Sequence, residues 1–477
     1  MKAILPRNGT AATGRPVKAR RILVAFVPVF VFATVVSTAA VAQVTDCTLL
    51  TFSEELGTLP DGTSYGLRKP SDWNGVLIND LDYLPSRDSQ RNCYWLGRGY
   101  GLSGTQRHPL RTFQYDPAQE IKNLLTVIDL FEQSYGKPTR IIQYGNSGGG
   151  FVGLGIAELH PDRVDGVVAG CAHEQVPLLN MMFDGWFVLQ ALLAPDLQIA
   201  NYTDLAQVTA AAAKWGEVIQ AAQDTPLGRA RIALAVTIGQ WPAWSSTMNP
   251  PPDPHDVNAL QSAMFDTVFA NAGQPGGQSR FMSEHAGGSP PEMPRQLSWN
   301  TGIDYRKFFE QGDRDYKRAV RELYREAGAD LKSDLAFVNA TPRISVDPAA
   351  VEFWSHPGRN VDGTPQVPVL RFHTSGDNLV PPEITDGYVQ KMRENHGKRQ
   401  LYRTAVVERG GHCNFSVAEN AAVVETLLKR IETGRWPSTE PERLNGLALS
   451  LVPSSTAAFI DYNPVRFNRP DNEPPLR

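Results

Sequence analysis

The run Arg140-Ile141-Ile142-Gln143-Tyr144-Gly145-Asn146-Ser147-Gly148-Gly149-Gly150-Phe151 decides how the rest of the chain is read. Its first half is apolar and β-branched and ends at Tyr144. Gly145-Asn146-Ser147-Gly148-Gly149 then fits G-x-S-x-G, and Phe151, Val152, Leu154, Ile156, Ala157 and Leu159 follow at helical spacing. Strand, glycine-flanked serine and helix, in that order, form the context of a nucleophile elbow. Such a turn brings the residues two before and two after the serine so close that a Cβ there would clash. It also lifts the serine oxygen into the open and aims the next backbone N–H at a developing oxyanion. The five-residue pattern alone does not decide, because Gly62-Thr63-Ser64-Tyr65-Gly66 fits it as well. No apolar strand precedes that copy, and Arg68-Lys69-Pro70 cannot start the required helix, so Ser64 reads as a surface turn or edge strand.

Working outward, the flanks alternate strand and helix. Trp73-Asn74-Gly75 leads into Val76-Leu77-Ile78, a buried strand, and Tyr100-Gly101-Leu102-Ser103 reads as the next one; residues 63–115 as a whole read as β-rich. Asp116-Pro117 opens a helix, with Asp as N-cap and Pro at the first helical position. Ile121, Leu124, Leu125, Ile128 and Phe131 give it an apolar stripe, and Gly136 ends it. After the Ser147 helix, His160-Pro161 is a stop and Val164–Gly170 another strand. The alternation predicts a parallel α/β sheet.

Beyond Cys171 the pattern changes. From His173 to about Pro348 there are helical signals and Pro/Gly-rich loops but few strand signals, which predicts an inserted helical lid. Met181, Met182, Phe183, Trp186, Phe187, Trp241 and Trp244 either line an apolar pocket or form the lid's own core. Strands resume at Val367–Phe372 and end with Leu401–Val407; an amphipathic helix, Val417–Ile431, and a polar tail after Trp436 follow. The expected division is 1–42, 43–172, 173–350, 351–440 and 441–477: signal, first core part, lid, second core part and tail.

Residues 1–42 read as a secretory signal. Lys18, Arg20 and Arg21 form a positive region, Ile22–Val36 is nearly all apolar, and Ala40-Val41-Ala42 is a small-x-small cleavage site. A membrane anchor is the alternative. No second apolar run reaches spanning length by this reading, so no stable membrane insertion is expected after cleavage. The segment holds six of the 46 basic residues and none of the 50 acidic ones, leaving a remainder with a formal charge of −10. Nothing basic is clustered, which argues against nucleic acid or an anionic membrane as partner. Cys47, Cys93, Cys171 and Cys413 lie beyond the signal, and four cysteines in an exported chain suggest two disulfides. Their spacings match no zinc pattern, so no metal is assigned, and no cofactor is implied. Proximity along the sheet edge favours Cys171–Cys413 with Cys47–Cys93.

A nucleophilic serine needs a base and a carboxylate to orient that base. Asp377 follows the first strand after the lid, and His412 follows the last strand. An isolated Asp after a strand is commonly a cap, and an isolated His in a glycine-rich loop is commonly structural. Together with Ser147 they make three strand ends in the order Ser, Asp, His. His173 and His373 compete less well, the first opening the lid and the second lying beside the acid.

These motifs resemble a secreted α/β-hydrolase with an inserted helical cap. Tyr144–Gly150 with His160–Val168 is similar to the family's elbow and following strand, Trp73–Ile78 to its oxyanion strand, Gly376–Pro381 to its acid loop and Gly411-His412-Cys413 to its histidine loop. The resemblance covers about 46–172 and 366–435. It implies Ser147, Asp377 and His412 as a triad for two-step acyl transfer, with the Gly148 N–H as one oxyanion donor. Many members carry His-Gly where this chain has Asn79-Asp80-Leu81-Asp82, so the second donor falls to Leu81 or Asp82. The Asp82 side chain reads as a cap. The expected activity is that of an exported (secreted or periplasmic) serine esterase acting on a small-molecule ester. A serine aminopeptidase or prolyl-type peptidase acting on a peptide-like substrate is the alternative, and a non-catalytic binding protein of the same fold is a third reading.

Overall fold

Two antiparallel strands open the sheet of the computed structural model, which describes residues 45–273, 277–288 and 294–474. β1 (Phe52–Thr58) pairs with β2 (Ser64–Pro70) from Phe52–Pro70 to Thr58–Ser64. Ser64 therefore lies on the second strand, not on the edge. β3 (Val76–Asp80) is followed by α1 (Tyr83–Ser86), α2 (Gln90–Gly97), β4 (Gly101–Thr105) and α3 (Arg111–Gln114). Residues 63–115 thus hold three strands and also three helices, which the β-rich reading omits. α2 begins where Ser89 Oγ accepts the Asn92 N–H, and it buries Tyr94, Trp95 and Leu96 against the sheet. Its single turn of apolar residues is too short to show a helical period.

α4 (Pro117–Tyr135), β5 (Arg140–Asn146), α5 (Gly148–Leu159) and β6 (Gly166–Gly170) follow. Asp116 caps α4 by accepting the Ala118 N–H, and Gly136 leaves it at φ 93°. Nine helices among the described residues then separate β6 from β7: α6 (Gln175–Leu193), α7 (Leu205–Gln223), α8 (Pro226–Ile238), α9 (Val257–Ala270), α10 (Gln278–Glu284), α11 (Tyr305–Gln311), α12 (Arg314–Glu326), α13 (Leu331–Ala340) and α14 (Pro348–Trp354). β7 (Val369–Gly376), α15 (Ile384–Glu394), β8 (Tyr402–Gly410), α16 (Val417–Thr433), α17 (Pro441–Leu451) and β9 (Phe459–Ile460) complete the chain.

The strand order is β1-β2-β4-β3-β5-β6-β7-β8-β9. β4, β3, β5, β6, β7 and β8 run parallel, while β1, β2 and β9 extend the two edges antiparallel. This is the α/β-hydrolase arrangement that the resemblance implies. β8 is not the last strand, because Ile460 and Phe459 pair back onto Val406 and Val407. Two residues at the rim of a polar tail give no alternation from which a strand could be read.

Separate apolar clusters fill the two faces of the sheet, one around Leu124, Phe131 and Leu154, the other around Trp95, Tyr144 and Leu427. A third lies within the insertion, where Met181, Met182, Phe183, Trp186, Phe187 and Trp241 pack with α8 and α12. Trp186 stacks at an angle between Trp215 and Trp241, with ring centroids 5.2 and 5.4 Å away. These side chains are the insertion's own core, and of the set only Met182 also reaches the cavity described below. α6 corrects one expectation: over 19 residues it is long and apolar enough to cross a membrane. It is instead a core helix, 89% buried. The predicted export signal, residues 1–42, lies outside the described residues.

Candidate active site

Parallel strands end at one edge of the sheet, and the loops leaving that edge are where an open α/β sheet places its site. Leu81 and Asp82 follow β3, Arg107 follows β4, Ser147 follows β5, His173 follows β6, Asp377 follows β7 and His412 follows β8.

Ser147 has φ 56° and ψ −118°, outside the regions an L-residue prefers. A hydrogen bond from its N–H to Gly170 O (2.8 Å) pins the turn to β6. A Cβ on Gly145 would lie 2.3 Å from the carbonyl carbon of Gly149, which is the close approach that the glycine pattern anticipates. The turn delivers Ser147 to the N-terminus of α5, whose first N–H groups, beginning with Gly148, have no partner within the helix.

Asp377 and His412 are brought together by the β7–β8 pairing. Gly376 opposes Gly410 after a register shift, so the acid and the histidine lie one and two residues beyond a paired position. His412 Nδ1 is 2.9 and 2.8 Å from Asp377 Oδ1 and Oδ2. Asp377 is fully buried, and its Oδ1 also accepts the N–H groups of Leu379 (3.0 Å) and Val380 (2.9 Å). Asn271 of the insertion exchanges hydrogen bonds with Asn378 at 2.9 and 3.0 Å and so clamps the acid loop.

Ser147 and His412 line one cavity of about 260 Å3. Its floor is the sheet edge, and its roof is Leu178, Leu179 and Met182 of α6 with Met282 of α10. No hydrogen bond joins Ser147 Oγ to His412 here; catalytic hydrogen bonds are often long until a substrate orders them. His412 Nε2 lies 3.5 Å from Cys413 Sγ. Cys171 is bridged to Cys413, and Cys47 to Cys93. Potential ligand atoms of Cys171, His412 and Cys413 fall within 4.8 Å of one another, but the bridge consumes both thiols and leaves no thiolate for a metal. Two disulfides mark a chain that matures in an oxidising compartment.

The β3 loop departs from the capping reading. Asp82 stands at the start of α1 but makes no capping hydrogen bond. Its carboxylate instead takes Arg107 side-on, with Nε and Nη2 both at 2.7 Å, because a charged fork outcompetes a backbone N–H for it. The Asp82 N–H donates to Asp80 Oδ1 at 3.1 Å and is committed there. Asp80 is held in turn by Arg91 Nη2 at 2.8 Å, and burial raises its pKa to about 6 against the pull of Arg91. Leu81 is buried against Gly149, with its Cβ 3.3 Å from where a Cβ on that glycine would stand.

Among the cavity residues that escape the sequence reading are Arg107, Arg111, His173 as a wall residue, and Gln175. His173 Nε2 is 2.5 Å from Gln175 Oε1. Burial, reinforced by the nearby Arg111 and Arg107, lowers its pKa to about 3 although the Gln175 contact opposes this. His373, the other competing histidine, does not line the cavity; its Nε2 bonds Val380 O at 2.6 Å and lies 3.7 Å from Asp377 Oδ2. The strand-end rule that singles out Asp377 and His412 also marks Arg107, two residues past β4.

The chain is 43% identical to the o-phthalyl amidase of Xanthobacter agilis over 431 residues, which span 86% of this chain and 94% of that one. It belongs to the family of that amidase. As a member of that family it is a hydrolase, built on the α/β-hydrolase fold. Among solved structures it is similar to feruloyl esterase B from Aspergillus oryzae, at 14% identity and a TM-score of 0.40, covering 81% of this chain and 82% of that one. An acylaminoacyl peptidase in complex with a chloromethyl ketone is similar at 10% identity and a TM-score of 0.38, over 83% of this chain and 44% of that one. No family profile matches the chain.

Proposed function

We propose that this chain is an exported serine hydrolase that cleaves the amide of an aromatic acyl group. The observation that carries the reading is His412, held 2.8 Å from the buried Asp377 and sharing a cavity with a serine on a strained strand-to-helix turn. Ser147 Oγ attacks the carbonyl carbon as His412 Nε2 takes its proton. Asp377 stabilises the imidazolium through Nδ1, and the Gly148 N–H receives the oxyanion. The imidazolium then protonates the leaving nitrogen, the C–N bond breaks, and water activated by His412 releases the acid and restores Ser147. No metal or cofactor is needed for these steps.

Amide over ester is favoured by the amidase relative, with its phthalyl acyl group; esters of the same acids would pass through the same acyl-enzyme. An aminopeptidase would need a carboxylate facing the substrate's ammonium, and no described Asp or Glu lines the cavity. The insertion acts as a lid in this reading, because α6 and α10 cover the serine. Secretion, or export to a periplasm, fits the disulfides and the signal-like segment.

Aryl amides and p-nitrophenyl esters, assayed with wild type and Ser147→Ala, test the proposal. The variant should keep its melting temperature and lose roughly 10⁴–10⁶-fold in kcat, since triad members act as a unit. A fluorophosphonate should label Ser147. Labelling at another residue, or activity surviving in Ser147→Ala, would sink the assignment.

A further inference from the structure

Arg107 and Arg111 stand beside Ser147 in the cavity wall, and each is held from behind. Arg107 uses Nε and Nη2 on Asp82, both at 2.7 Å, so Nη1 has no hydrogen bond to a described residue. Arg111 donates Nη1 to Glu120 at 2.7 Å, and its Nε lies 3.2 Å from Met282 Sδ, so Nη2 is likewise unspent. The two unspent nitrogens converge. A Cβ placed on Gly148 would stand 2.7 Å from Arg107 Nη1 and 3.0 Å from Arg111 Nη2. Gly148 directly follows Ser147 and opens α5, so this spot adjoins the nucleophile and lies at the positive end of a helix dipole. The carboxylates of Asp82 and Glu120 sit behind the guanidinium groups, and no described Asp or Glu faces the cavity.

Two fixed guanidinium groups with N–H bonds left over suit a planar carboxylate, which accepts from both. We propose that Arg107 and Arg111 form a carboxylate subsite that selects acyl groups bearing a free carboxylate on the atom next to the one carrying the scissile carbonyl. The o-phthalyl group in the name of the amidase relative is an acyl group of this kind, so the substrate class follows that relative and the geometry adds the two residues that would select it. Asp82 and Glu120 act as positioning residues that aim the two forks. The inference rests on the serine-hydrolase reading and deepens it: it names the residues that choose the acid.

The test compares kcat/KM for 2-carboxybenzoyl, 4-carboxybenzoyl and unsubstituted benzoyl anilides in wild type, Arg107→Gln and Arg111→Gln. Wild type should prefer the 2-carboxy substrate over the other two by about 100-fold or more, and each variant should cut that preference by about 10- to 100-fold, as the loss of an ionic hydrogen bond implies. Fluorophosphonate labelling of Ser147 reports whether each variant is folded. A wild type indifferent to the carboxylate or to its position overturns the proposal. So does an unchanged preference in variants whose three rates fall together, because the arginines would then serve the oxyanion. If the variants do not fold, wild-type inhibition decides: phthalate should inhibit at roughly a tenth or less of the benzoate concentration, and equal constants overturn the subsite. Hydrolysis of none of the anilides, with no label on Ser147, overturns the hydrolase reading and the subsite with it.

Discussion

His173 shows how the environment of one side chain sets its charge. The Gln175 amide nitrogen donates to Ser283 Oγ at 2.6 Å, so Gln175 Oε1 is the acceptor and His173 Nε2 carries the proton. Nδ1 is buried without a partner. A charge there would oppose burial first, then the two arginines, and the pKa falls from 6.5 to about 3. The unfolded chain takes up a proton below its ordinary value while the folded chain stays neutral. The contribution to stability is therefore complete above pH 6.5 and is lost as pH falls toward 3, at about 1.4 kcal/mol per pH unit. His173→Gln should give a shallower fall of melting temperature between pH 6 and pH 4 than wild type. Equal slopes would mean that His173 is protonated in the fold. At neutral pH the residue adds no positive charge to a wall that already holds two arginines.

At the scale of elements, the histidine loop is an example of a bond between strand ends doing what the loop's own sequence cannot. Cys171 follows β6 at φ 36° and Cys413 follows His412 at φ 51°, both on the unfavourable side for a side chain with a Cβ. The bridge between them closes a loop of 242 residues that contains the whole insertion. Loop-closure entropy assigns such a bridge about 5–6 kcal/mol. It also fixes the residue next to His412 against the end of β6. The double variant Cys171→Ala, Cys413→Ala should melt lower and lose about tenfold in kcat, at temperatures where far-UV circular dichroism is still native. Unchanged kcat with a lower melting temperature would make the bridge a stabiliser only.

The molecule as a whole is tied together by its tail. Phe467 is buried against Gly387 of α15, joining the core of the insertion. Two residues on, Arg469 is 5% exposed; its Nε is 3.4 Å from Asp184 of α6, and its guanidinium lies over the Trp299 ring. Asn468 N donates to Gln240 Oε1 at 2.9 Å, and Gln240 Nε2 to Arg466 O at 2.8 Å. The strap thus runs from β9 across α15 to the insertion. Asp184 is fully buried, and burial raises its pKa to about 6 even with Arg469 and Tyr305 pulling it down. Arg469→Met should cost about 3–5 kcal/mol in urea unfolding at pH 8, because it strands a buried carboxylate. The loss should shrink at pH 5, where Asp184 is mostly protonated, and Asp184→Asn in the same chain should recover part of it. A pH-independent loss would assign the role of Arg469 to packing.

The parts legible in the sequence are those fixed by chemistry within a few residues. The glycines around Ser147 answer a clash inside one turn, Asp116-Pro117 and Gly136 bound α4 through its own backbone N–H and C=O groups, and β-branched runs mark the parallel strands. The position of Asp377 and His412 after strands is also local, and parallel strands carry both to one edge. Helix α2 was hidden because its two turns have no full apolar period, and β9 because two residues cannot alternate. The arginine pair, the strap and the cap that Asp82 does not make were hidden for another reason. Asp82 could have capped α1, and only the arrival of Arg107, 25 residues on, redirects its carboxylate. Arg469 finds Asp184 across 285 positions, through a tail that looks like a polar linker. A charged side chain's partner is chosen by whichever opposite charge the fold brings within about 3 Å, and that distance is set by the tertiary structure alone.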